Sequence, residues 1–137
     1  MFTGGDILEI SWKHASLGSG KWYPKAGEDL TIDPGGIRTN DDEQGITGNG
    51  QPIYTMNNKR WAMEGSVAWD SSNKDSEMVK MAALAESPVE ANFTISLING
   101  SVWGGTGKPV GDIKGSAKDA TMSIKLAGGG KLTKQSS

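Results

Sequence analysis

The sequence predicts a mainly β fold, a β-sandwich or barrel with one short α-helix and a long protruding loop. Three observations carry this. Glycine occurs 20 times in 137 residues, about double the average share of ~7%, and without the period of collagen. Stretches that alternate apolar and polar residues recur between turn signals such as Asp33-Pro34-Gly35-Gly36 and Asn99-Gly100. Helical spacing occurs in one short stretch only. Short strands between many turns read as all-β. The length suits one domain, residues 1–137, whose last residues, from about 128 to 137, read as a flexible arm because GGGKLTKQSS has no periodicity.

Asp6 to Trp12 alternates, with Leu8, Ile10 and Trp12 on one face, which predicts a strand. Leu17 to Gly20 reads as a turn. Further strands are expected over Lys21–Tyr23 and Asp29–Asp33, until Pro34 presets φ and the glycines accept positive φ. From Ile37 to Lys59 the alternation fails. The stretch is polar and punctuated by glycine, far longer than the ~4–6 residues of an ordinary connection. It carries Ile46, Ile53, Tyr54 and Met56, apolar anchors that a plain linker lacks, so it is expected to gain order by packing on something outside the domain.

The clearest strand follows, with Trp61, Met63, Gly65, Val67 and Trp69 facing inward and Ala62, Glu64, Ser66, Ala68 and Asp70 facing water. Ser72, with Asp75 three residues on, suggests a capping box. Met78, Met81, Ala82 and Ala85 then follow at helical spacing over Lys74–Ala85, until Pro88 ends the run. Glu90–Ile98 is a strand with Phe93, Ile95 and Leu97 inward, and Asn99-Gly100 turns it back. Ser101–Trp103 starts the return, and GGTGKPVGDIKG reads as irregular. Asp119–Leu126 closes the fold, with Ala120, Met122, Ile124 and Leu126 inward and Thr121, Ser123 and Lys125 outward.

Composition removes whole classes of function. There is no cysteine and a single histidine, His14, so thiolate chemistry and most zinc sites are excluded. A net charge of −2 argues against a phosphate-binding stripe. No apolar run approaches the ~20 residues that cross a bilayer, and Met1–Asp6 lacks the basic and apolar regions of a signal peptide. Synthesis in the cytoplasm is the expectation. Gly105-Thr106-Gly107-Lys108-Pro109 is no phosphate loop, because Val102 stands at its first glycine and Pro109 at its hydroxyl position. Gly48-Asn49-Gly50 is a turn. Asp41-Asp42-Glu43 lacks the alternating spacing of a calcium loop. The sequons at Asn92 and Asn99 read as chance matches. His14 has no triad partners that the sequence can name. The chain is therefore expected to be no enzyme, with no metal and no cofactor. Among the tryptophans, Trp61 and Trp69 belong to the core, whereas Trp12, Trp22 and Trp103 are free to stack on sugars. A carbohydrate-binding β-sandwich is the alternative from another class.

The order of strands, long loop, alternating strand, short helix and hairpin resembles the tail tube proteins of contractile-tailed bacteriophages and their relatives in the type VI secretion tube. The resembling passages are ITGNGQPIYTMNNKRWAMEGSVAWD and GKPVGDIKGSAKDATMSIKLAGGGKLTK, together somewhat less than half of the chain. The resemblance implies a structural virion protein of the tail, made in the host cytoplasm. It implies hexameric rings whose sheets merge into one inner barrel, stacked into a tube through which DNA is ejected without specific binding. Tail sheath and baseplate proteins would be its other partners; a baseplate hub and a secretion tube component stay open as variants of this reading. Carried onto this chain, the inter-ring loop is Arg38–Arg60, with Asp41, Asp42, Glu43, Ile46, Gln51, Ile53, Tyr54 and Arg60 as contacts. The candidate lumen face is Glu64, Thr94, Ser96, Thr121, Ser123 and Lys125.

Overall fold

The computed structural model describes residues 1–27, 29–74 and 76–136. It is mainly β, with one helix, α1 (Glu77–Glu86). The strands are β1 (Ile7–His14), β2 (Gly18–Trp22), β3 (Thr31–Asp33), β4 (Gly36–Thr39), β5 (Met56–Lys59), β6 (Trp61–Ala68), β7 (Ala91–Leu97), β8 (Val102–Pro109), β9 (Gly115–Ser116), β10 (Thr121–Gly128) and β11 (Thr133–Ser136). The main sheet runs β2-β1-β7-β8-β10-β6-β3, and every pairing in it is antiparallel.

β8 is where the sheet folds over. On one side it pairs with β7 from Val102 to Gly107. On the other, its first residues pair with β11, while Lys108 and Pro109 pair with Ala127 and Leu126 of β10. Two leaves result, β2-β1-β7-β8-β11 and β10-β6-β3 with β9 beside β10. The bend needs glycine: a Cβ on Gly128 would overlap the carbonyl oxygen of Thr106, and one on Gly107 would overlap that of Ala127. Among the described residues no closed barrel forms, since β2 and β3 end the order. The architecture is an open sandwich.

The core lies between the leaves. Ile10, Trp12, Trp22, Phe93 and Ile95 come from the first, Trp61, Met63, Val67, Met122, Ile124 and Leu126 from the second, and Met81 and Leu84 from α1. Trp12, Trp22, Phe93 and Trp61 form a row with centroids 6.1, 6.1 and 6.3 Å apart, in the range of favourable ring contacts. The Trp61 indole donates to the Thr106 carbonyl at 3.0 Å, so its polar edge is satisfied.

Several sequence expectations change here. A bulge between Ile7 and Glu9 shifts the phase of β1, so Ile7 is buried and Leu8 exposed. The first turn is Ala15–Leu17, and Gly18 to Gly20 already belong to β2. His14 fixes that turn: its Nδ1 accepts from the backbone N–H of Ser16 and Leu17, both at 3.1 Å, and its Nε2 lies 2.9 Å from Ser87 Oγ. Two N–H groups aimed at Nδ1 place the proton on Nε2, so this ring is a structural pin. The helix starts after Ser76, not Ser72; Ser72 instead donates to Asp70 Oδ1 at 2.7 Å. Asp75, the other half of the expected box, lies outside the described residues. Ser87 ends α1 in extended geometry, as the residue before a proline does. Of the stretch GGTGKPVGDIKG read as irregular, Gly104 to Pro109 belong to the strand β8, while Val110 to Lys114 lie outside any strand. The glycines of β8 make room for larger neighbours, because a Cβ on Gly105 would meet Leu132 and Trp61. Ala120 is not a core residue; it is exposed in a turn at φ 54°.

The C-terminal segment is not a flexible arm over its described length. Gly128 belongs to β10, Leu132 is 0% exposed, and β11 adds to β8. Gly130 turns the chain at φ 72°, and the Leu132 N–H donates to the Pro34 carbonyl at 2.8 Å. One buried leucine supplies the burial that the polar composition hid.

Candidate functional site

The stretch expected to be a structureless loop is a β-hairpin arm. β4 and β5 form a separate two-stranded sheet in which Ile37 faces Asn58 and Thr39 faces Met56. The ladder continues beyond them. Asn40 N–H donates to the Thr55 carbonyl at 2.8 Å, Ile53 N–H to the Gly45 carbonyl at 2.8 Å, and Thr47 N–H to the Gln51 carbonyl at 2.8 Å; Ile46 bridges to Pro52. The arm thus orders itself, and external packing is not needed for its backbone. External packing is still what its side chains lack: Ile37, Ile46, Ile53, Tyr54 and Met56 are all exposed, Tyr54 by 73%. Isolated apolar residues on a surface need no explanation, but five on one two-stranded element are more than its own backbone ladder requires.

A two-stranded ribbon alone is marginal in water, and this one is held at its root. Asp33, the last residue of β3, accepts from Arg38 Nη2 at 2.6 Å and from Arg38 Nη1 at 3.3 Å, and Lys59 Nζ lies 3.5 Å away. Its Oδ1 also accepts the Gly35 N–H at 3.0 Å. One carboxylate therefore grips both arm strands. Gly35, at φ 73°, is where the chain leaves the body, and a Cβ there would come 2.6 Å from the Trp61 nitrogen. Only glycine fits that exit.

The hydrogen bonds from Arg38, then that from Gly35, lower the Asp33 carboxyl from 3.8 to about 2. A lowered folded-state value means that the clamp is complete above pH ~4 and is lost as pH falls through about 2. Exposed ion pairs of this kind add little to global stability; what Asp33 does is tie both arm strands to the end of β3. The Gly35 amide resonance should therefore titrate with a midpoint near 2, and Asp33→Asn should broaden or shift it at neutral pH. A midpoint at the ordinary aspartate value of ~3.9 would show that the clamp does not form.

The structure places Asp41, Asp42, Glu43, Ile46, Gln51, Ile53 and Tyr54 on the arm and Arg60 at its root, all exposed. The six candidate lumen residues are not brought together on one surface. Glu64 pairs with Lys125 and Ser66 with Ser123 across β6 and β10, and Thr121 continues that outward face. Thr94 and Ser96 lie on β7, on the outward side of the other leaf. The two sets share the outward phase of their strands but occupy different leaves. The sequence shows phase, but not which strands are neighbours.

The rival carbohydrate platform loses its aromatics, since Trp12 and Trp22 are buried and Trp103 packs against the core. Among the described residues no group of three or more His, Asp or Glu side chains could hold a metal ion, and no helix is long and apolar enough to cross a membrane. Compared with protein-family models and with curated proteins, the chain finds no match.

Proposed function

We propose that this chain is a structural protein that assembles with copies of itself into stacked hexameric rings, forming the inner tube of a phage tail through which DNA is ejected. The observation that carries the reading is the arm: a self-ordered hairpin, fixed at its root and carrying exposed apolar side chains. Such an element is suited to reach a neighbouring subunit. Strands with a single partner, β2 and β3 at the ends of the path, support it further, because closure of sheets into a ring removes edges that otherwise invite uncontrolled pairing. The resemblance of the sequence to tail tube proteins supplies the ring and the cargo. Sheath and baseplate proteins would be the outer and terminal partners.

On this reading one leaf lines the channel. The leaf of β6 and β10 offers Glu64, Ser66, Thr121, Ser123 and Lys125, a face of mixed charge with no row of cations. A surface of that kind does not grip phosphates, as a conduit requires.

The test is direct. Purified protein at high concentration should form uniform tubes or ring stacks in negative-stain electron microscopy. Replacing Asp41–Gln51 by a tight turn should leave the far-UV and tryptophan spectra intact, since the core contains none of these residues, yet abolish stacking. Tubes of normal length from the shortened variant would remove the arm from the assembly mechanism. A wild-type chain that stays monomeric would remove the tube.

A further inference from the structure

The arm is electrically polarised along its length. From Asn40 to Met56 it carries Asp41, Asp42 and Glu43 and no Lys or Arg, whereas its root carries Arg38, Lys59 and Arg60. Lys131 joins the root: it bridges to Gly35, and its side chain runs beside Gly36. Asp33 occupies Arg38 and Lys59. Arg60 and Lys131 are exposed and form no ion pair among the described residues, and neither do Asp41, Asp42 and Glu43. The root also opens into a cleft lined by Asp33, Lys59 and Arg60, with Glu64 and Lys125 opposing each other farther along it. Cations without an ion-pair partner among the described residues at one end of the arm thus answer carboxylates toward the other that likewise form no ion pair, Asp42 accepting only the Gln44 N–H at 3.0 Å.

We propose that Asp41, Asp42 and Glu43 of one copy seat against Arg60 and Lys131 at the arm root of the copy stacked next to it. This rests on the tube reading above and specifies its longitudinal contact. The complementarity lies within one chain, so a second copy supplies both halves. Because the two halves sit at different points of the arm, each subunit can give and receive at once in a head-to-tail stack that continues to grow. The apolar Ile46, Ile53 and Tyr54 then contribute burial, while the charges set register and reject wrong offsets.

The experiment is a charge swap at low ionic strength, with assembly followed by light scattering and electron microscopy. One variant carries Asp41→Lys, Asp42→Lys and Glu43→Lys; a second carries Arg60→Glu and Lys131→Glu. All five positions are exposed, so both variants should keep the wild-type spectra, and the first lies wholly outside the core. Each alone should raise the concentration needed for stacking by about tenfold or more, the scale of like charges in contact. Mixing the two in equal amounts should restore growth, because each then offers the partner that the other lacks. Raising salt toward 1 M, where the Debye length is ~3 Å, should weaken wild-type stacking. If wild type forms tubes and both variants form them equally well, the charge contact is overturned and the tube reading stands. Failure of the mixture to recover, or closed dimers as the only product, also overturns the contact. Wild type that never stacks overturns both readings.

Discussion

A chain ending at Gly130 is expected to melt about 10 °C or more below the full protein. The truncation removes Leu132, which is 0% exposed and belongs to the core cluster. It also removes the pairing of β11 with β8 and the bond from Leu132 N–H to Pro34. Losing a buried leucine side chain alone costs about 2–5 kcal/mol, and a loss of that size corresponds to roughly 10 °C in a domain of this length. Gly105 would then face a void where the Leu132 methyl group now sits. Leu132→Ala in the full chain should recover part of the loss and Leu132→Met nearly all of it. Thermal unfolding monitored by circular dichroism decides the matter. An unchanged midpoint in the truncated chain would mean that the segment does not pack as described.

Met81→Asp should be comparably severe. Met81 is 1% exposed on the face of α1 that meets the sandwich, with Leu84 beside it. The cation of that helix turn, Lys80, is the adjacent residue and so points to a different face, and burying a carboxylate uncompensated costs several kcal/mol unless it takes up a proton. The second outcome gives the test a signature: the destabilisation should shrink as pH falls below 6, because protonation relieves it. Val79, on the exposed side of the same helix, is the control, and Val79→Asp should shift stability by about 0.5 kcal/mol or less. Equal midpoints for the two variants would show that α1 does not cover the core.

The strands legible in the sequence were those with one wet face. Trp61–Ala68 and Ala91–Leu97 appear with the inward residues that alternation names, because a core on one side and water on the other imposes period two. β8 was not legible. Its small residues are there to accommodate Trp61 and Leu132, which are distant in sequence, so the pattern that explains it lies in its neighbours. Leu132 failed as a signal for a similar reason: one apolar residue in a polar tail has no period. Leu8 misled because a bulge shifts phase without changing composition. At the arm, length pointed to an exposed element, but its hydrogen-bond ladder was hidden, since both of its faces are wet and no alternation is required. The Asp33 clamp joins residues five and more positions apart across a glycine turn, which becomes visible only when Gly35 and Gly36 are seen at positive φ.

The row of Trp12, Trp22, Phe93 and Trp61 has an optical consequence. Every tryptophan of the chain, Trp69 and Trp103 included, lies outside the arm, whose one strong chromophore is Tyr54. Rings about 6 Å apart and tilted against one another couple electronically. The body should therefore give an intense near-ultraviolet dichroic band, and added quencher should reach only the half-buried Trp69 and Trp103 and not the buried row. Tyrosine emission from Tyr54, exposed in the single subunit, should respond to whatever covers the arm. With Tyr23, the exposed tyrosine of the body, replaced by Phe, one cuvette can thus follow integrity of the sandwich and engagement of the arm at separate wavelengths, with no label attached to either.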